Sequence, residues 1–130
     1  MLGSLHQVML PVEDLDEARH FYEDVLGLPV RARFDPPGLL FVDLGPVRLL
    51  LEQLHDDDVD DEEHSMGTLY LRSDDIEADV ERLRGAGVEI DDPHLSHHDV
   101  DGTFGAPGEE EWMTFFLDPD GHSLALVARR

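Results

Sequence analysis

The residues whose types could do chemistry recur at every second position of several apolar runs. Gln7 and Met9 alternate with Val8, Leu10 and Val12, and Thr68, Tyr70 and Arg72 alternate with Leu69 and Leu71. The same alternation groups Arg48, Leu50 and Glu52, and again Ser123, Ala125 and Val127. In an extended chain such residues share one face, so each run has one apolar side and one mixed side. Gln, Thr and Ser there offer hydrogen bonds, Arg a charge for an anionic group, and Tyr a ring. Trp112 and Phe116 are further aromatic candidates, with ordinary core packing as the other reading.

A second group is His94, His97 and His98, of which the adjacent His97 and His98 could reach a divalent cation with Glu52 or Asp99. On an exposed loop such histidines are expected to be solvated instead. His20 and His122 are expected at the surface, on a helix and after a turn. Ser4, Ser65, Ser73, Ser96 and Ser123 have no motif that marks a nucleophile, and no Gly-rich phosphate loop is present. Cys is absent, which excludes thiolate metal sites and disulfides.

The elements that must position these residues come in two similar series. Strand 5–12 leads to a helix over 15–26, started by Glu13 or Asp14 and stopped by Gly27, and strands follow at 28–34, 39–44 and 47–52. After an acidic stretch the pattern restarts: strand 68–73, helix 76–84 after Asp74-Asp75, and a short strand at 88–90. A long Pro/Gly-containing loop is expected over 91–109, then a hairpin of 111–117 and 122–127 around Asp118-Pro119-Asp120-Gly121. The fold class is therefore α+β, with two tandem βαβββ modules in one domain over 1–130. Module one covers about 4–54 and module two about 67–130. The connector 55–66 reads as solvated rather than as an ion site, since it lacks the spacing of a calcium loop.

Length and charge bound the function. A chain of 130 residues with a formal net charge of −22 repels nucleic acid and anionic membranes, so neither is an expected partner. All nine basic residues are Arg. Acids spread along both halves without any Lys read as a halophile-like surface. No apolar run is long enough to span a bilayer, and a cytoplasmic location is expected.

The repeat, opened by HQVMLPVEDLDEARHFYEDVLGL and closed by FLDPDGHSLALV, resembles the vicinal oxygen chelate superfamily, which includes glyoxalase I, bleomycin-resistance proteins and extradiol dioxygenases. The resemblance implies curled mixed sheets whose concave faces form a ligand cavity. The mixed faces would then line it: Gln7, Met9, Arg48, Leu50, Glu52, Thr68, Tyr70, Arg72, Ser123 and Ala125, with Trp112 and Phe116. Metal-dependent members place four ligands there, and the corresponding positions are Gln7, Leu50 or Glu52, Thr68 and Ala125. His6 could replace Gln7 if the strand shifted, and Gln7 and Glu52 without a cation could bond each other. Two positions lack a ligating side chain, so no metal is expected at the family site. The resemblance therefore implies a small-molecule-binding homodimer closest to the bleomycin-resistance type, with modules paired within a chain or across the dimer. The alternative is a glyoxalase-like lyase or dioxygenase holding Zn, Ni, Mn or Fe through an altered set drawn from Gln7, Glu52 and the histidines His94, His97 and His98. A structural or regulatory partner protein is the third reading.

Overall fold

The computed structural model describes residues 3–54 and 67–130. The acidic connector 55–66, including its expected lack of an ion site, lies outside the described residues. Two compact units are present. One consists of the described residues 3–54 with Asp118–His122, and the other of Gly67–Leu117 with Ser123–Arg130.

In the first unit β1 (Gln7–Val12) is followed by α1 (Leu15–Arg19), β2 (Val30–Phe34), β3 (Leu39–Asp43) and β4 (Arg48–Gln53). Asp14 starts α1 by accepting a hydrogen bond from the Glu17 N–H at 3.1 Å. The expected helix over 15–26 does not stay α-helical: His20–Val25 form a wider π-type turn, in which the Leu26 N–H reaches the Phe21 carbonyl at 2.9 Å. The consecutive rings of Phe21 and Tyr22, edge to face at 5.4 Å, are both buried there.

The sheet order is β1-β4-β3-β2, with β1 parallel to β4 and the other pairs antiparallel. Leu40, Val42, Leu49 and Leu51 share its apolar side and are fully buried, as are Leu15 and Ala18 of α1. Truncating one of these leucines to Ala costs about 2–5 kcal/mol, part of it for the cavity left behind.

The second unit repeats this arrangement. β5 (Thr68–Arg72), α2 (Ile76–Gly85), β6 (His94–Asp99), β7 (Glu109–Leu117) and β8 (Ser123–Arg129) give the order β5-β8-β7-β6, again with one parallel pair. Asp75 caps α2 through the Ala78 N–H, and Ile76, Val80 and Leu83 form its buried stripe. Leu124, Leu126, Phe116 and Thr114 are buried on the apolar side of this sheet.

The two βαβββ modules are thus present, with one correction in the second. Residues 88–90 form no strand; the strand beside β7 is β6, inside the stretch expected to be loop. Ile90 is held by packing and by the Arg84 Nε–H, which donates to its carbonyl at 2.9 Å.

Candidate functional site

Each sheet leaves its second side open, and the strand registers fix which residues share it. In the first unit Gln7, Arg48 and Asp43 form one cross-strand row, Met9, Leu50, Phe41 and Ala32 the next, and Pro11, Glu52, Leu39 and Phe34 a third. Met9 is 48% and Phe34 52% exposed, so this is solvent-facing apolar surface. Phe34 and Phe41 meet edge to face at 6.0 Å, and the Arg48 guanidinium lies 5.6 Å from the Phe41 ring centre. An Arg48 Nη2–H also donates to His6 Nε2 at 2.9 Å, which fixes that nitrogen as an acceptor.

In the second unit the rows are Thr68, Ser123 and Leu117; then Tyr70, Ala125 and Phe115; then Arg72, Val127, Met113 and His94. The Thr68 hydroxyl donates to Ser123 Oγ at 3.1 Å. Tyr70 and Phe115 flank Ala125 from the two neighbouring strands, and their rings meet edge to face at 6.0 Å. Ala125 consequently has no exposed surface, although it stands on the open side. His94 stacks on Phe115 at 6.1 Å, extending the aromatic surface to β6.

Two expected site residues lie on the other side. Trp112 and Phe116 share the parity of buried Thr114, and Phe116 is 3% exposed. Phe116 is a core residue, while Trp112 lies under the Arg130 guanidinium at 4.8 Å and donates from Nε1 to Glu110. Phe115, Phe41, Phe34 and His94 occupy the open sides and were not among the expected cavity residues. Phe115 could have been found by carrying the parity of Ala125 across the hairpin.

His122 is also misplaced by a surface reading, being 3% exposed. Its Nε2–H donates to the Pro11 carbonyl at 2.6 Å, and its Nδ1 has no partner among the described residues. The turn it closes belongs to the first unit. There Asp118 accepts from the Tyr22 hydroxyl at 2.8 Å and from the N–H groups of Asp120 and His122, and Asp120 accepts from the Glu13 N–H at 2.9 Å. Burial first, then the Asp118 carboxylate, pushes the Tyr22 phenol far above its ordinary range, so it stays a proton donor. Burial likewise raises Asp120.

A cavity of about 540 Å³ in the second unit is lined by Arg72, Phe104, Glu109, Arg129 and Arg130 among others. Arg129 is engaged by Glu111, Asp99 and Glu109 at 2.7, 3.0 and 3.3 Å. Asp99 also accepts from the N–H groups of Thr103 and Phe104 and shapes the loop after β6. The Phe104 N–H first, then the Thr103 N–H and Arg129, hold its carboxyl below the usual range. His97 packs edge-on against Phe104 at 5.9 Å, with its Nε2 4.0 Å from Asp99. These contacts commit Asp99 to the loop rather than to a metal with His97 and His98.

The model of the glyoxalase/bleomycin resistance protein/dioxygenase superfamily matches residues 4–126. The chain belongs to this superfamily. Among solved structures it is similar to TnmS3, an antibiotic binding protein from Streptomyces sp. CB03234, at 24% identity and TM-score 0.76, covering 99% of this chain and 98% of that one. A glyoxalase/bleomycin resistance protein from the same organism matches at 25% identity and TM-score 0.68, over 95% and 98% of the two chains. Lactoylglutathione lyase from Agrobacterium tumefaciens matches at 22% identity and TM-score 0.69, over 98% and 94%. At these identities the first and third likenesses establish the fold alone.

Superfamily membership makes the four ligand positions testable on this chain. Leu50 occupies the second, opposite Met9, so Glu52 is the substitute to consider. Glu52 stands opposite Pro11, four residues along β4 from Arg48, which is opposite Gln7. At a rise of about 3.3 Å per residue, Gln7 and Glu52 are separated by roughly 13 Å along the strands, too far to share an ion or bond each other. Thr68 is committed to Ser123, and Ala125 lies beneath two rings. Among the described residues no group of three or more His, Asp and Glu could hold a metal. Among the described residues, the donors at the four positions do not fit the superfamily's metal.

Proposed function

We propose that this superfamily member binds a small molecule on the open sides of its sheets, without the four-ligand metal set. The supporting observation is the surface formed by Tyr70, Phe115 and His94 across Ala125. Tyr70 and Phe115 are 57% and 43% exposed, and neighbouring hydroxyls at Thr68 and Ser123 add polar contact. Such large rings on a solvent-facing sheet are costly unless something covers them, and a planar apolar ligand suits them. TnmS3, a structural neighbour, is an antibiotic binding protein, which is consistent with this reading.

The site residues are then Gln7, Met9, Arg48, Leu50 and Glu52 on one sheet and Thr68, Tyr70, Arg72, Ser123 and Ala125 on the other, with Phe115 in place of Trp112 and Phe116. A homodimer belongs to the same proposal, since closed two-fold symmetry is the usual assembly of soluble oligomers. The lyase or dioxygenase reading would need an ion held by a set drawn from Gln7, Glu52 and the histidines of β6, and the separation of Gln7 from Glu52 gives that pair no support.

Fluorescence titration with uncharged phenylnaphthylamine tests the proposal. The expected result is saturable binding that weakens several-fold in Phe115→Ala, because one ring contact is worth about 0.5–1.5 kcal/mol. No binding to the intact protein, or equal binding by the variant, would refute it. Stoichiometric Zn, Ni, Mn or Fe in untagged protein, lost in Gln7→Ala, would instead support the enzyme.

A further inference from the structure

Arginines in this chain are scarce against its acids, nine against 31. Seven of them, Arg19, Arg31, Arg33, Arg82, Arg84, Arg129 and Arg130, pair with a carboxylate. The two that pair with none among the described residues are Arg48 and Arg72, and both stand on the open side of a sheet. Arg48 is engaged by His6 and Phe41. Arg72 has no hydrogen-bond or ion-pair partner among the described residues.

An exposed guanidinium is stable in water without a partner, so its freedom alone says little. More telling is how the nearby acids are used. Asp75 caps α2, Glu77 holds Arg130 at 2.7 Å, and Glu109 contributes to Arg129. Asp74, two residues from Arg72, forms no ion pair with it. Arg72 shares a cavity lining with Asp74, Asp75, Glu77 and Glu109 yet forms an ion pair with none of them. In a protein with a net charge of −22, a guanidinium left unpaired among such acids and beside an aromatic surface is suited to an incoming anion.

We infer that the ligand of this surface is an organic anion: a planar aromatic body on Tyr70 and Phe115, with a carboxylate or other acid group at Arg72. The dimensions agree. Arg72 is two residues beyond Tyr70 on the same side of β5, roughly 7 Å along the strand, which is the span of a fused bicyclic ring bearing an acid group. Val127 and Met113, in the same cross-strand row as Arg72, make the surface beside it apolar. This rests on the open side being a small-molecule site.

A matched pair of probes separates the two claims: anilinonaphthalene sulfonate, which is anionic, and its uncharged parent phenylnaphthylamine, titrated at low salt. Arg72→Gln is compared with Arg84→Gln, which removes the same charge from a paired arginine on α2. The expected result is about a tenfold loss of sulfonate affinity in Arg72→Gln, with phenylnaphthylamine unchanged and Arg84→Gln near the parent protein for both. Equal sulfonate binding by both variants, with the uncharged probe still bound, would overturn the anion and leave the aromatic site standing. Failure of the intact protein to bind either probe would overturn both. A fall for both probes in Arg72→Gln would make Arg72 structural and overturn its role as charge reader.

Discussion

The Tyr22 hydroxyl donates to Asp118 at 2.8 Å, joining residues 96 apart in sequence within the first unit. Asp118 is 5% exposed and spends its other oxygen on the N–H groups of Asp120 and His122. One buried carboxylate thus shapes the Asp118–His122 turn and anchors it to the π-type turn after α1. Tyr22→Phe keeps the ring and removes the donor, leaving a buried carboxylate oxygen short of a partner. A loss of about 1–3 kcal/mol is expected by chemical denaturation. Tyr70→Phe, on an exposed ring, is the comparison and should change stability by no more than about 0.5 kcal/mol.

Asp99 gives the loop after β6 a pH dependence with a definite sign. Its folded pKa is depressed by the Phe104 and Thr103 N–H groups and by Arg129. Its contribution is therefore complete above the unfolded value of about 3.9 and is lost as pH falls through the lower folded value. The stability gap between the parent protein and Asp99→Asn should be widest near neutrality and close in acid. A gap that stayed constant through that range would place the effect of Asp99 in packing rather than charge.

The same loop depends on glycine at two places. Gly102 has φ +72, and a Cβ there would meet the Pro107 ring at 2.7 Å and the Gly105 carbonyl at 2.8 Å. At Gly105 it would meet Arg129 Nη2 at 2.7 Å, and that guanidinium is fixed by three carboxylates. Gly102→Ala, strained in backbone and in space, should cost about 1–3 kcal/mol and be the worse of the two in thermal melts.

The repeat could be read from sequence because its signals are local: alternation in β1 and β5, Asp14 and Asp75 as caps, and apolar stripes ending at glycine. β6 could not. All of its residues except Asp99 are exposed, so His94–Asp99 carry no alternation, and the strand exists only through pairing with β7. The open sides failed for a related reason. In EEEWMTFFL both parities contain apolar residues, so the choice between Phe115 and Phe116 is made by register against Ala125 and Leu124. Likewise the span between Gln7 and Glu52 depends on the β1–β4 register, which no residue of either strand declares alone.

Ala125 offers a direct test of the metal argument. Ala125→Glu restores a carboxylate at the fourth superfamily position, but beneath the Tyr70 and Phe115 rings. The new charge must displace those rings or be buried, so a loss of about 1–3 kcal/mol is expected. Added zinc should not recover the melting temperature, since Gln7 would have neither the second nor the third ligand to complete a set. Recovery by stoichiometric zinc would show that donors do converge there.

Salt should stabilise the protein. Seven arginines are committed to carboxylates, yet 31 acids are present, so most of the acidic surface is uncompensated. Repulsion among those acids acts over about 10 Å at 0.1 M ionic strength and about 3 Å at 1 M. Raising the salt should therefore remove a destabilising term from the folded state while weakening the few exposed arginine pairs, each worth about 0–1 kcal/mol. Repulsion dominates because the excess is −22, so the melting temperature should climb from low to molar salt. A neutral osmolyte at matched osmolality distinguishes the cause: if it raises the melting temperature as much as the salt does, preferential exclusion is responsible and the charge argument fails.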